Sequence, residues 1–329
     1  MKPSIAIAIL FFLSLAVALV SYDLTVKYYE PLSKFNLQDK PNYYNYAADK
    51  NCSDCASSWL FKTIAAPLTA LEFYGFAFVF DFLILFIPAL IIYTATKNIV
   101  DAASWFLSLA SIFLFVLGLY SQFLVVVLFV FYLFCRPKSV YVKIALILLA
   151  GLTHQYGALL MVISIIVVEY LPKFIKNQDQ ATAILSLSAK ALMLLSIAFL
   201  CGYSVFTANR MMVLFHPLLS PLQAYGMQGF QSLFLFIFWT APVGLWIISK
   251  ENKTDAGLLI LLNVLLLAGI ASLVFFHEIE FWRIVILIDI LGLSVLAKSE
   301  QPFKLSKELM WLSLMQTIWI FGTIWYLLT

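Results

Sequence analysis

The sequence predicts an all-α, polytopic membrane protein of about eleven helices, including one short broken pair. The first observation is composition: 64% of the 329 residues are hydrophobic and 11% are charged. Soluble domains are about 45–50% apolar and about 25% charged. The second observation is that apolar runs recur along the whole chain. A core could not cover this much apolar surface, so we expect much of it to face lipid.

The predicted spans follow one another with short polar turns between them. Apolar runs near or above the roughly 20 residues that cross a bilayer cover residues 4–21, 74–95, 102–119, 121–135, 183–206, 230–249, 257–276, 280–297 and 309–328. The first run, behind Lys2, also has features of a secretory signal peptide. We favour a retained first helix, because the chain continues directly from Tyr22.

Residues 142–171 follow a different pattern. As one helix they would be about 45 Å long, which is too long for a span without heavy tilt. The polar stretch Thr153–Gly157 interrupts them. We therefore predict two short helices, 142–152 and 155–170, that meet partway into the membrane. Such a break is tolerated only where protein or a water-filled cavity surrounds it, which makes His154 and Gln155 candidate site residues.

A cytoplasmic N-terminus gives the most consistent topology, although the long outer loop 22–63 is an exception with five lysines, so the shorter turns decide. With that orientation the short cytoplasmic turns hold most of the basic residues, as the positive-inside rule requires: Lys97, Arg136, Lys138, Lys143, Lys173, Lys176, Lys250, Lys253, Lys298, Lys304 and Lys307. We predict one transmembrane domain over residues 1–329 of a multi-pass cell-membrane protein, with outer loops at 22–63 and 207–229. The net charge of +3 is too small to indicate a nucleic-acid partner.

Ionisable groups cluster on the predicted outer face. They include His154, His216, His277, Asp39, Glu72, Arg210, Glu278, Glu280 and Arg283. In an otherwise apolar chain such a cluster is a functional-site hypothesis by default. The alternative is that these groups only border the interface with water. Asp81, about two turns into its helix, either belongs to this site or bonds a neighbouring helix.

Asp39 precedes a tyrosine-rich stretch, Lys40 to Ala48. Chemistry alone leaves two readings open. Asp39 could cap an interfacial helix, or it could act as a general base at the membrane surface. An acid and a tyrosine four residues apart, soon after the first span, resemble a catalytic segment of GT-C-type glycosyltransferases. These enzymes use polyprenyl-phosphate-linked sugars on the non-cytoplasmic face.

Further segments resemble the EpsG and Wzy-like polysaccharide polymerases. Asp39 to Tyr46 looks like their Asp-x-x-Asn-Tyr pattern, and Glu72 to Phe76 is similar to their Glu-Pro-Gly-Tyr. Leu149 to Leu159 resembles the His-containing motif of a middle helix, with Tyr156 in place of serine. His277 to Arg283 resembles a late outer segment. One departure is at Gln122, where the family's neighbouring arginine is missing, which puts phosphate binding there in doubt.

The resemblance implies a GT-C-like glycosyltransferase or polysaccharide polymerase that inverts the sugar with a carboxylate base. It implies Asp39 and His154 as catalytic residues. Substrate-binding residues would be Tyr43, Glu72, Gln155, Arg210, His277, Glu278 and Arg283. No cofactor is identified and no metal site is predicted, since Asp39 lacks an Asp-x-Asp partner. Glu72 and Glu278 could nevertheless bind a divalent cation.

Two other classes of function remain open from the sequence. The chain could be a non-catalytic subunit of a larger membrane complex, since its soluble loops are small. It could also be a transporter or lipid flippase that uses the break at His154 and the acids and lysine inside its helices, Asp81, Lys190 and Asp289. Cys52 and Cys55 form a single C-x-x-C that predicts either a disulfide or two thiols rather than zinc.

Overall fold

The structure is a computed structural model that describes residues 2–34, 40–48, 59–108, 110–111, 114–115, 120–154, 156–211, 240–249, 256–275 and 278–297. Across these ranges the chain is helical and contains no strand. Contacts divide the chain into two compact units, residues 1–165 and residues 166–329.

Unit 1 begins with helices α1 (Pro3–Lys34), α2 (Lys40–Ala48) and α3 (Trp59–Ala65), and a 3₁₀ turn (Ala66–Leu71) leads into α4 (Glu72–Thr96). Next come α5 (Ile99–Ser104), a 3₁₀ turn (Trp105–Leu107), α6 (Tyr120–Cys135), α7 (Val140–Thr153) and α8 (Gly157–Ile165).

Unit 2 begins where α8 passes into a π-helical turn (Ile166–Tyr170) and a 3₁₀ turn (Leu171–Phe174). Its helices are α9 (Gln178–Met211), α10 (Ala241–Ser249), α11 (Ala256–Phe275) and α12 (Glu278–Ala297).

Four helical segments in the described ranges are long and apolar enough to cross a membrane. They are Pro3–Asp23, Trp59–Thr96, Gly157–Phe174 and Gln178–Leu200. Tyr120–Cys135, Val140–Thr153, Ala256–Ser272 and Ile286–Val295 are shorter apolar helices. Many large apolar side chains on α1 and α9 are exposed, among them Phe12 and Leu194. The prediction of a polytopic helical membrane protein is confirmed at this level.

Two predicted elements differ from the structure. The span expected over 102–119 is interrupted within its described part, because α5 ends at Ser104 and the backbone is extended at Ser108. The hydroxyls of Ser104 and Ser108 donate to the carbonyls of Asp101 and Trp105, and such local bonds compete with helix continuation. The other difference is in the predicted outer loop 22–63, where α1 runs on to Lys34 and where α2 and the start of α3 are also helical.

The broken pair is confirmed. α7 ends at Thr153, His154 is extended, and α8 starts at Gly157. Position 157 requires glycine. A Cβ at this position would lie 2.2 Å from the carbonyl oxygen of Ala150, which is too close for a residue with a side chain. The absence of a Cβ therefore lets the two short helices meet closely.

Glycines also allow close packing in unit 2. A Cβ at Gly257 would lie 2.5 Å from the carbonyl oxygen of Val168, so α11 is seated directly on the π-helical turn. The side-chain amide of Asn263 donates to the carbonyl of Leu185, which joins α11 to α9 across a 3.0 Å hydrogen bond.

Candidate functional site

Several helices of unit 1 begin or end on the same side of the unit. Helix α2 lies on that side, which we call the α2 end. α1 and α4 are antiparallel, because Ser21 meets Asp81 while Phe11 packs on Phe82 and Phe86. α6 starts beside the first turns of α4, where Tyr120 stacks on Phe80. α6 then runs to the opposite side and α7 returns, so His154 closes α7 at the α2 end.

Helix α2 lies on this end and contacts α3, α4 and α6. The Tyr43 hydroxyl is 2.9 Å from the Ser121 hydroxyl, and the Tyr43 ring packs on Phe61 and Tyr120. On the other side of α2, Tyr44 packs on Phe73 and Phe76. The tyrosine-rich stretch is therefore a helix that packs on the start of α4 and of α6.

A buried polar network lies directly beneath α2. The hydroxyls of Ser21 and Tyr120 donate to the two carboxylate oxygens of Asp81, at 2.8 and 3.1 Å. Asp81 is 1% exposed and Tyr120 is fully buried. Burying a carboxylate without hydrogen-bond partners destabilises the folded state, and each hydrogen bond to a charged acceptor stabilises it by about 1.5–3 kcal/mol. Asp81 thus links three helices, α1, α4 and α6.

His154 occupies the break between α7 and α8 and is half-buried. Its backbone N–H donates to the Ala150 carbonyl at 3.0 Å, and its own carbonyl accepts from Gly157 N–H at 2.8 Å. The ring nitrogen Nδ1 accepts from the Tyr156 backbone N–H at 3.4 Å. A neutral ring whose Nδ1 accepts must have its proton on Nε2, so the turn favours the tautomer that donates through Nε2.

Glu72 begins α4 at the α2 end and is exposed. Its backbone angles, φ 58° and ψ 178°, lie in a region that residues other than glycine rarely adopt. Such backbone conformations cost about 1–3 kcal/mol and cluster at functional sites. Its neighbour Phe73 packs on Tyr44, so α2 contacts the start of α4 at the residue that follows Glu72.

The remaining predicted site residues are not described at the level of side chains. Asp39, Gln155 and His277 lie outside the described residues, and Asp39 is the residue directly before α2. Arg210 lies in α9, and Glu278 and Arg283 lie in α12, all in unit 2, where only their helical backbone is described. Within the described ranges, no three His, Cys, Asp or Glu side chains are grouped so as to hold a metal ion.

The opposite end of unit 1 has its own buried acid. Asn98 caps α5 by accepting from the Val100 N–H, and Asp101 lies in the first turn of that helix. Burial raises the pKa of the Asp101 carboxyl above its usual value, while hydrogen bonds with Thr96 and Asn98 lower it. Burial has the larger effect, so the neutral form of Asp101 is favoured relative to an exposed aspartate.

Sequence reasoning missed two members of the α2 end. Ser21 was the last residue of the first apolar run and Tyr120 fell between two runs, and neither was predicted as a site residue. Asp81 was predicted either to join the site or to bond a neighbouring helix, and it bonds both α1 and α6. A buried acid in an apolar helix signals that hydroxyl donors are near, but the sequence does not show which ones.

Comparisons with protein-family profiles, with curated proteins and with solved structures each return no match to this chain. The likeness to glycosyltransferases and polymerases therefore rests on the sequence motifs alone.

Proposed function

We propose that the chain is a membrane glycosyltransferase or polysaccharide polymerase with a GT-C-like fold. Its donor is a polyprenyl-phosphate-linked sugar that it takes from the surrounding membrane lipid. The site is the α2 end of unit 1. Asp39 is the base, His154 faces the phosphate, and Tyr43 and Glu72 contact the sugar. Gln155 belongs to the same substrate-binding set. The sequence resemblance also implies Arg210, His277, Glu278 and Arg283 as substrate-binding residues, and their part in the site is proposed from the motifs alone.

The reaction fixes the chemistry that the residues must supply. The Asp39 carboxylate takes the proton of an acceptor hydroxyl, whose oxygen attacks the anomeric carbon of the sugar. The bond from that carbon to the phosphate oxygen breaks as the new glycosidic bond forms, so the configuration inverts. Negative charge grows on the departing lipid phosphate. An N–H donor such as Nε2 of His154 stabilises that charge.

The observation that supports this proposal best is the packing of the Tyr43 helix. Tyr43 contacts Ser121 and Tyr120 at the start of α6, and Tyr44 contacts Phe73 beside Glu72. Two motifs that are about 30 residues apart in sequence therefore lie at the same end of the helices. Because α6 runs away from that end and α7 returns to it, the third motif, at His154, lies at that end as well.

Charge supports an outward-facing site. α4 and α6 both end at the side opposite α2, where Lys97, Arg136 and Lys138 follow them. Basic residues favour the cytoplasmic side of short loops. The α2 end would then face outward, and the N-terminus would be cytoplasmic.

The proposal is tested by a transfer assay on the purified chain in lipid nanodiscs. Radiolabelled sugars on polyprenyl monophosphate and diphosphate are supplied with candidate glycan, lipid and peptide acceptors. We expect product from the wild type and about 10- to 150-fold less from His154→Ala, the value of one hydrogen bond to a charged oxygen. Lys138→Ala, an exposed change at the opposite end, is the control and should retain wild-type transfer.

Other outcomes would favour the other classes of function. Absence of product with every donor, from protein that co-purifies with membrane partners, would indicate a non-catalytic subunit. Movement of the intact donor between leaflets without transfer would indicate a flippase. Equal transfer by the wild type and His154→Ala would remove His154 from the proposed site.

A further inference from the structure

Asp81 lies one layer below α2 and is connected to it through side chains. Its carboxylate accepts from Tyr120, the Tyr120 ring packs on the Tyr43 ring at 5.9 Å, and Tyr43 hydrogen-bonds the adjacent Ser121. Ser21 bonds the second carboxylate oxygen from α1. The start of α6 is thus fixed to α1 and α4, and α2 is fixed to the start of α6.

We propose that Asp81 is a positioning residue for helix α2 and for Tyr43 within it. Asp81 does not touch substrate in this account. It sets the orientation of the Tyr120 ring, against which Tyr43 packs. The effect of Asp81 on catalysis rests on the function proposed above, whereas its effect on the position of α2 does not.

The geometry favours positioning over simple packing. Tyr120 is already held by apolar contacts, since its ring stacks on Phe80 at 4.7 Å and meets Phe76 at 5.9 Å. These contacts bury the ring, whereas the phenol hydroxyl of a buried tyrosine needs a hydrogen-bond partner of its own. The Tyr120 hydroxyl donates to Asp81 at 3.1 Å and lies at a longer 3.5 Å from the Ala77 carbonyl oxygen. The shorter bond, to Asp81, holds the hydroxyl most directly, and with it the face that the ring presents to Tyr43.

The test measures amide hydrogen exchange of the full chain in nanodiscs, by mass spectrometry of the peptide that covers 40–48. The variants are Asp81→Asn and Tyr120→Phe. Each has a matched control in unit 1: Asp101→Asn, another buried acid, and Tyr132→Phe, a fully buried tyrosine further along α6 whose hydroxyl donates to the Ser164 carbonyl.

We expect exchange in 40–48 to be about fivefold faster in both test variants, which corresponds to the loss of one net hydrogen bond. The two controls should leave exchange in 40–48 at the wild-type rate. In the transfer assay, Asp81→Asn should lower kcat/KM for the donor, because Asp39, the proposed base, directly precedes α2 and Tyr43, which contacts the sugar in the proposed function, lies within it.

Wild-type exchange in 40–48 for both Asp81→Asn and Tyr120→Phe would overturn the proposal. Equal acceleration in 40–48 and in α7 would also overturn it, because Asp81 would then support the unit as a whole. If the wild type transfers no sugar, the function fails while the exchange result still decides the positioning. Should Asp81→Asn not fold, Tyr120→Phe decides by itself, since it keeps the buried ring.

Discussion

Gly157→Ala should prevent the close approach of α7 and α8 and displace His154. The added Cβ would lie 2.2 Å from the carbonyl oxygen of Ala150 and 2.7 Å from its carbonyl carbon. Carbon and oxygen atoms in close contact across helices lie about 3.3–3.6 Å apart. To restore this spacing between the new Cβ and the Ala150 oxygen, the two helices must move apart by about 1 Å at this point. Overpacking of this kind costs about 1–3 kcal/mol.

The matched control is Gly151→Ala, in the last turn of α7. Its Cβ would lie 3.0 Å from the Cβ of Ala158, a smaller overlap with a side-chain methyl group. Alanine also gains up to about 1 kcal/mol of helix propensity over glycine. We expect a clear drop in the unfolding temperature in detergent for Gly157→Ala, and little change for Gly151→Ala.

A third variant identifies the atom responsible. Ala150→Gly removes a methyl group but leaves the carbonyl oxygen in place, so it should not rescue Gly157→Ala. Full rescue would show that the clash involves the side chain of Ala150, and equal stability of the Gly157 and Gly151 variants would refute the close-approach argument.

Two further predictions concern single groups. Because Nδ1 of His154 accepts from the Tyr156 N–H, ¹⁵N NMR of histidine-labelled protein should show the Nε2-protonated tautomer for the signal that His154→Gln removes. An Nδ1-protonated ring would contradict this. Burial raises the pKa of Asp101, so its contribution to folding stability is full below pH 3.8, the ordinary value, and is lost as pH rises through the folded pKa. Thermal unfolding in detergent should therefore show Asp101→Asn gaining stability relative to wild type as the pH rises above 3.8, and a stability difference that does not change with pH would contradict the assignment.

Much of the fold follows from local sequence. α4 and α6 begin and end within two residues of their predicted apolar runs, because length and apolarity define a span. The extension of α1 also had a local signal that the prediction overlooked. Asp23 and Lys27, like Glu30 and Lys34, are spaced four residues apart with the acid first, and this order favours helix.

The candidate site depended more on non-local contacts. The break at His154 was predictable, because a polar tip inside a long apolar run needs special surroundings. The pairing of Asp81 with Ser21 and Tyr120 was not, since the partners are 60 and 39 residues away in the chain. Only the packing of α1 and α6 on α4 brings those hydroxyls to the carboxylate.

Asp39 is the proposed base of a glycosyl transfer, and one comparison of variants tests that role most directly. Initial rates of transfer from a polyprenyl-phosphate-linked sugar are measured for the wild type, Asp39→Asn and Asp179→Asn, an exposed acid at the start of α9. General-base catalysis contributes about 10²- to 10⁴-fold, so folded Asp39→Asn should lose at least about 100-fold while Asp179→Asn keeps the wild-type rate. Transfer at the wild-type rate by Asp39→Asn would contradict the account.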